Sequence, residues 1–354
     1  MKKSILIVAG GTGGHIAPGI ALAEEFKKRN ENVVFLSLER NRQYGDFQRA
    51  DFPVAFYNAP SLSGSFKKKL LFPFLLAASF FSVMRIVRKY NVYASVCMGG
   101  YSTIPAILYF IVFRLPYHLC EQNAVPGKVT KLFAKFAENI FMNFPDGTGK
   151  LDRYENKMHM TGNPVRASIL KEAEVQNTRK KKTLSILVLG GSQGAVQLNE
   201  MSLAAIPHLK DVEWTIQCGE KNIDAMQSQL KENSIEGITL FGFHSDIHTF
   251  YRNADILVCR AGAGVLSEGC IFSLPMILIP YPYAADDHQK QNALYLEKNG
   301  AAFVISTKDR EPENLIQCIT RIQNDEKLLQ SMRNASKNCA KKDASKLIAE
   351  KILE

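Results

Sequence analysis

The sequence predicts an α/β protein made of two doubly wound halves, each organised on a parallel sheet. Three observations carry this. Short, continuously apolar runs alternate with helical segments along the 354 residues, the pattern of strands covered on both faces. A strand, a glycine turn and a helix start follow one another twice, at Ile5–Gly14 and at Ile186–Gly194, so both halves open in the same way. The chain also exceeds the ~250–300 residues at which single cores stop growing.

The first set of strand-like runs is Ile5–Ala9, Val33–Leu38, Ser95–Met98, Tyr117–Cys120 and Ile140–Met142. The second is Ile186–Leu189, Glu213–Cys218, Ile238–Phe241, Ile256–Cys259, Met276–Ile279 and Ala302–Ile305. Helical stretches such as Ile20–Arg29 and Pro312–Asn324 fit the crossovers. The polar, charge-rich stretch Ser168–Thr183 reads as a linker. Met1–Ser4 runs straight into Ile5–Ala9, which is too short for a signal-peptide core and is followed by glycines rather than a cleavage site.

Apolar (46%) and charged (22%) contents are those of an ordinary globular protein. The net charge of +10 attracts polyanions, whether nucleic acid, anionic lipid or phosphorylated substrate. Tight basic runs stand at Lys67–Lys69 and Arg179–Lys182. No aromatic-basic RNA motif accompanies them, so nucleic acid is not expected as a partner. The seven cysteines are odd in number and form no C-x-x-C pair. That argues against a disulfide framework and a zinc knuckle, and leaves them as buried fillers in a reducing compartment.

A glycine turn between strand and helix admits a ligand close to the backbone, because no Cβ intrudes. It also aims free N–H groups and the helix dipole at that ligand, and phosphate is the usual guest. The dinucleotide fingerprint fails, since Gly11-x-Gly13 would need glycine at Ile16; no Gly-Lys-Ser/Thr follows either turn. Phosphate binding survives these exclusions; hydride transfer and nucleotide-triphosphate hydrolysis do not. His15 follows the first turn, at the carboxyl end of a strand. There it can take a proton from an attacking hydroxyl, or simply hydrogen-bond to acceptor or structure.

In the second half, Arg260–Glu268 follows a strand, turns at glycines and enters a helix carrying Glu268. A carboxylate there suits a ribose diol, since its oxygens accept two O–H donors; it also reads as a charge on the first turns of a helix. Asp286-Asp287-His288-Gln289 follows another strand and offers polar groups to sugar hydroxyls. Without a D-x-D or a second compact acid/His set, no metal is expected.

The motifs Gly10–His15, Met98–Tyr101, Glu121-Gln122-Asn123, Thr161–Arg166, Gly190–Gly194, Arg260–Ala263 and Asn292-Ala293-Leu294, in this order, resemble the MurG family of bacterial N-acetylglucosaminyltransferases. The resemblance covers nearly the whole chain. It implies a GT-B fold of two Rossmann-like domains facing across a cleft. It also implies inverting transfer of GlcNAc from UDP-GlcNAc to the 4-hydroxyl of the muramoyl sugar of lipid I, giving lipid II, with no cofactor.

Residue by residue, the resemblance places Ser192 on the donor phosphates with Gln193 beside it, and Glu268 on ribose. Ala263, Gly264, Val265, Leu266 and Ser267 line the nucleotide pocket, and Gln289 contacts the GlcNAc hydroxyls. Thr12, Gly13, Gly14, Asn123 and Arg166 match further donor contacts. Gly11 and Tyr101 fall on the acceptor side, and His15 is the candidate base. Phe243 is followed by His244 where many members carry a bulky aliphatic residue at the uracil-contacting turn, which is tolerable if that contact is through backbone. His288 stands where some members carry a second glutamine.

The resemblance implies an acceptor- and membrane-associating domain over 1–163 and a donor domain over 164–339. The last helix, about 340–354, is expected to pack back on the first. Lys67, Lys68 and Lys69 precede an apolar run that includes Leu71, Phe72, Phe74 and Leu75. Through Phe81 that run is shorter than the ~20 residues of a bilayer span and carries Pro73. Interfacial insertion with lysines on anionic headgroups is expected, against the alternative of a buried crossover helix with a basic edge. Ile104–Phe113 is expected in the core. Peripheral attachment to the cytoplasmic face of the inner membrane follows, with other cell-wall synthesis proteins as further partners. Three alternatives stay open: another GT-B glycolipid glycosyltransferase, a UDP-GlcNAc 2-epimerase, and a non-enzymatic basic membrane-binding protein.

Overall fold

A computed structural model describes residues 2–60, 66–175, 183–190, 195–233, 235–242, 244, 246–306 and 311–354, with 66–70 in backbone only. The chain divides into two compact units, 1–167 with 342–354, and 168–341.

The first unit holds β1 (Ser4–Val8), β2 (Asn32–Leu38), β3 (Val54–Tyr57), β4 (Val92–Cys97), β5 (Tyr117–Glu121), β6 (Ile140–Met142) and β7 (Met158–His159). They form one parallel sheet in the order β3-β2-β1-β4-β5-β6-β7. All five residues of β1 are buried. Leu6 and Val8 join one core layer, and Ile5 and Ile7 join another. Both faces are therefore covered, which is why the strand reads as unbroken apolarity instead of alternation.

The second unit holds β8 (Leu184–Leu189), β9 (Val212–Gln217), β10 (Thr239–Phe241), β11 (Ile256–Cys259), β12 (Met276–Leu278) and β13 (Ala302–Val304). These are also all parallel, in the order β10-β9-β8-β11-β12-β13. Trp214, the chain's single tryptophan, fills the core beside Ile186, Val188 and Ile216.

In each sheet the order reverses beside the first strand of the unit. Connections leave in opposite directions from β1 and β4, and from β8 and β11. Such a switch point opens a crevice at the carboxyl ends of the strands. The first glycine turn stands at one of these points and Gly190 at the other.

The helix Gly13–Lys28 buries Ile16, Ile20, Leu22 and Phe26. The last helix, Ala344–Leu353, packs on it. Ile348 and Ala349 enter the first unit's core, and Arg29 bridges Glu25 (2.7 Å) and Glu350 (3.1 Å).

Several expectations need correction. β3 and β7 were not expected; they are short edge elements whose residues are mostly half-buried. The segment read as a linker begins with a helix, Ala167–Ala173. The apolar run from Leu71 does not stop at Phe81. It belongs to a helix of 24 residues, Phe66–Lys89, about 36 Å long at ~1.5 Å per residue. Leu71–Lys89 is long and apolar enough to cross a membrane by length and composition. One face of this helix is committed to protein, because Val83 and Val87 are buried in the first unit's core. Its other side leaves Leu71, Leu75 and Phe81 exposed and Phe74 73% exposed. The helix Ile104–Val112 is also not wholly core: Ile107 and Phe110 are buried, but Val112 and the following Phe113 are exposed. Phe113, Tyr109, Phe80 and Phe81 form a continuous chain of ring contacts linking the two helices.

Candidate functional site

In the first unit the site begins where β1 ends. Thr12 caps the helix Gly13–Lys28 with extended backbone and no side-chain hydrogen bond to the helix amides, and no acidic residue stands in the first turn. The positive end of that helix is therefore not neutralised from within. Gly11 has φ +98°, a conformation that only glycine adopts without strain. Its amide donates to Asn41 Oδ1 (3.1 Å), and Asn41 Nδ2 donates back to its carbonyl (3.4 Å). A Cβ at Gly11 would lie 3.7 Å from Arg40 Nη2. Asn41 and Arg40 follow β2, which the sheet places next to β1.

His15 is half-buried, and its Nδ1 lies 3.5 Å from Thr12 Oγ1. Its ring rests on Gly99 and Gly100, which follow β4 with φ of +91° and +76°. A Cβ on Gly99 would come within 3.3 Å of His15 Nε2. The two glycines thus leave room for the imidazole. If Nδ1 carries the proton toward Thr12, Nε2 has the lone pair. Gly11, Thr12, His15, Arg40 and Tyr101 line one cavity of about 250 Å³. Gly13 and Gly14 are exposed beside it.

The end of β5 carries Glu121, buried with its carboxylate turned inward. It accepts from Thr130 Oγ1 (2.6 Å), Gly127 N (2.8 Å) and Asn123 N (3.2 Å). Burial raises its pKa, opposed by these hydrogen bonds. The loop from 121 to 127 is therefore folded around one carboxylate, and Asn123 stands on it half-buried. Arg166 pairs with Asp46 at 3.5 Å. Nearby Glu24 is raised first by burial and then by Asp46, with Ala167 N and Arg166 pulling the other way.

In the second unit a cavity of about 530 Å³ lies at the switch point between β8 and β11. Gly190, Gln197, Arg260, Val265, Tyr281 and Gln289 line it. Arg260 ties its wall together. Nη1 donates to the carbonyls of Ile279 (3.0 Å) and Pro280 (3.2 Å), Nη2 to Gln197 Oε1 (3.2 Å), and the guanidinium sits 5.8 Å from the Tyr281 ring centroid. Gln289 Oε1 accepts from Tyr281 N at 2.9 Å.

The helix Ala263–Ile271 carries the remaining expected residues. Gly264 has open space where a Cβ would stand. Ser267 Oγ donates to Ala263 O (2.9 Å). Glu268 Oε2 accepts from Tyr251 OH (2.9 Å), whose ring is fully buried and stacked on Phe272. Leu266 is 1% exposed and so belongs to packing. His244 is exposed after β10, against Phe250 (5.0 Å), and does not line this cavity. Gly191, Ser192, Gln193 and Gly194 lie outside the described residues, as do Phe243 and the side chains of Lys67–Lys69. Among the described residues no group of three His, Cys, Asp or Glu could hold a metal ion.

Two family models match in sequence order. The glycosyltransferase family 28 N-terminal domain covers residues 5–142, and the family 28 C-terminal domain covers 185–348. A relative from Leptospira interrogans is 40% identical, over 97% of each chain. It is the UDP-N-acetylglucosamine–N-acetylmuramyl-(pentapeptide) pyrophosphoryl-undecaprenol N-acetylglucosamine transferase. The crystal structure of Acinetobacter baumannii MurG superposes with a TM-score of 0.79 at 26% identity, covering 99% of both chains. The chain belongs to the MurG family.

The MurG architecture is a GT-B fold, and the two parallel-sheet units described above are its halves. A UDP-GlcNAc 2-epimerase from Neisseria meningitidis also aligns, with a TM-score of 0.70 at 14% identity; that likeness shows the fold alone. Sequence reasoning passed over Arg40, Asn41, Gln197, Tyr251 and Tyr281 as site neighbours. Asn41 had one usable signal: it stands just past the strand paired with the strand that feeds the glycine turn.

Proposed function

We propose that this MurG-family protein transfers GlcNAc from UDP-GlcNAc to the 4-hydroxyl of the muramoyl sugar of lipid I, forming lipid II with inversion. The observation that carries the reading is near end-to-end identity of 40% with a transferase named for that donor and that acceptor.

In a single displacement, the acceptor hydroxyl attacks the anomeric carbon as the bond to UDP breaks. The electron pair leaves on the diphosphate, and the hydroxyl proton must go to a base. We assign that proton to His15 Nε2. The contact between Nδ1 and Thr12 and the glycine platform beneath the ring support this role. Gly11 and Tyr101 are assigned to the acceptor, and Thr12, Gly13, Gly14, Asn123 and Arg166 to donor contacts from the first unit.

The second unit is assigned to UDP-GlcNAc. Ser192 and Gln193, with the turn amides, take the diphosphate and the charge that develops on it. Glu268 takes ribose, held by Tyr251. Gln289 faces the sugar, and Ala263, Gly264, Val265 and Ser267, with His244 through its backbone, surround the nucleotide.

The exposed apolar side of the Phe66–Lys89 helix, with Val112 and Phe113, is assigned to the bilayer interface, and Lys67–Lys69 to anionic headgroups. The protein then works peripherally on the cytoplasmic face of the inner membrane, alongside other cell-wall synthesis proteins.

The test is direct. Labelled UDP-GlcNAc and a lipid I analogue should yield the β-linked disaccharide lipid with release of UDP. Sugar transfer only to a diacylglycerol acceptor, or epimerisation of UDP-GlcNAc without acceptor, would reject the assignment.

A further inference from the structure

A second hollow lies next to the cavity beside the glycine turn, with three lining residues in common. A groove of about 530 Å³ lies between the end of β3 and the Phe66–Lys89 helix, and Asn58, Ala59 and Pro60 form part of the wall of both spaces. Phe56, Leu75 and Ala78 add apolar surface to it. The shared wall is braced from two sides. Ser79 Oγ, on the helix, donates to the carbonyl of Asn58 at 2.6 Å. Tyr57 OH donates to the carbonyl of Ser102, which lines the glycine-turn cavity.

Charge is divided unevenly between the two spaces. The glycine-turn cavity has a helix N-terminus with no acidic residue in its first turn and the Arg40 side chain in its lining, a setting for phosphate. The groove has Glu39, whose carboxylate is engaged by Arg42 at 2.6 and 2.9 Å. A phosphate placed there would meet a carboxylate, whereas an uncharged chain would meet Phe56, Ala59 and Leu75. Leu75 is itself exposed and adjoins the apolar side of the helix bearing Leu71 and Phe74. The groove therefore lies between a phosphate-suited cavity, with which it shares Asn58, Ala59 and Pro60, and the surface assigned to the bilayer.

We propose that this groove seats the first isoprene units of the acceptor's polyprenyl chain, between a pyrophosphate at the glycine turn and the membrane beyond the helix. The proposal rests on the transferase reading above, and adds to it where the lipid leaves the protein. Anchoring the chain on one side of the pyrophosphate fixes how far the sugar hydroxyl reaches toward His15, so the groove acts on acceptor affinity and register and leaves the donor untouched.

The test uses the full-length protein in detergent micelles, where no bilayer contributes. Two acceptors share the sugar and pyrophosphate; one ends in a short prenyl chain, the other in a methyl cap. The unaltered protein should show the lower KM for the prenyl acceptor. Ala78→Trp, which fills the groove from the helix side, should raise that KM about tenfold, the loss of one or two buried methylenes. The KM for the methyl-capped acceptor and for UDP-GlcNAc should stay as they were. An unmoved prenyl KM, or equal loss with both acceptors, overturns the groove assignment. An unaltered protein that turns over neither acceptor sinks the transferase reading and the groove with it. Should the variant fail to fold, a benzophenone-bearing prenyl pyrophosphate on the unaltered chain decides the matter. Adducts within 56–60 or 75–82 support the groove, and adducts elsewhere overturn it.

Discussion

Asn41 grips the backbone of Gly11 with both ends of its side-chain amide, accepting from the Gly11 N–H at 3.1 Å and donating to its carbonyl at 3.4 Å. This fixes a left-handed residue at the mouth of the first glycine turn from outside the turn. Asn41→Ala should free the turn and lower kcat/KM for the acceptor about tenfold, the scale of losing two neutral hydrogen bonds. Because Thr12, Gly13 and Gly14 of the same turn are assigned to donor contacts, the KM for UDP-GlcNAc should rise as well. Steady-state kinetics with each substrate varied in turn checks this, and unchanged kinetics for both substrates would contradict it.

Removing the imidazole tests the proton path. His15→Ala should reduce kcat by about 10²–10⁴, the usual share of a positioned base, with donor affinity largely kept. Gly99→Ala should act in the same direction while leaving His15 in place. Its Cβ would come within 3.3 Å of Nε2 at a residue with φ of +91°. A kcat unchanged in both variants would remove His15 from the chemistry.

On the donor side, Tyr251→Phe deletes only the hydroxyl that steadies Glu268 at 2.9 Å. We expect the KM for UDP-GlcNAc to rise severalfold and stability to fall by about 1 kcal/mol. Glu268→Ala should raise the same KM further. Titration calorimetry with UDP reads both effects without the acceptor, and undiminished UDP affinity in Glu268→Ala would refute the ribose assignment.

His118 gives a stability prediction independent of catalysis. Burial, and then the charge of His159, pushes its pKa down to about 4. Asn139 bridges the two rings, at 3.1 Å from His118 Nδ1 and 2.8 Å from His159 Nε2. Because the folded pKa lies below the unfolded one, the unfolded chain binds the extra proton first. Stability is full above about pH 6.5 and falls as pH drops toward 4, by about 3 kcal/mol from this residue. Urea melts of the native chain and His118→Gln across that window should show a shallower slope in the variant.

The membrane assignment predicts that Phe74→Ser, paired with Leu71→Ser, weakens sedimentation with anionic vesicles. Turnover of a detergent-dispersed acceptor should persist. Both residues are exposed, so thermal stability should move by less than about 0.5 kcal/mol. Undiminished vesicle binding would return the helix to a purely structural role.

Legibility followed burial. β1 and β8 stood out because layers on both faces keep Ile5–Val8 and Ile186–Leu189 apolar without a break. β3 carries the same unbroken apolarity but spans only four residues, Val54–Tyr57, directly after Pro53, too short a run to stand out. The Phe66–Lys89 helix was read too short because Arg85 and Arg88 interrupt its apolar side, though Val83 and Val87 still point into the core. At the candidate site the glycine turns were visible as motifs, whereas Asn41 and Arg40 look like any surface turn until the sheet order sets β2 beside β1. Leu266, two positions before Glu268 in the same motif, is buried, because successive helical positions turn by about 100° and the two side chains point to different sides.

The last helix has a consequence for how the protein is made. Ile348 and Ala349 complete a layer begun by Ile5 and Ile7, so the first strand waits for a helix far along the sequence. A chain truncated before Ala344 would leave that layer unsealed while the second unit, 168–341, keeps all its residues. Such a truncation should be read out as proteolysis near the first strand, far in sequence from the deleted helix.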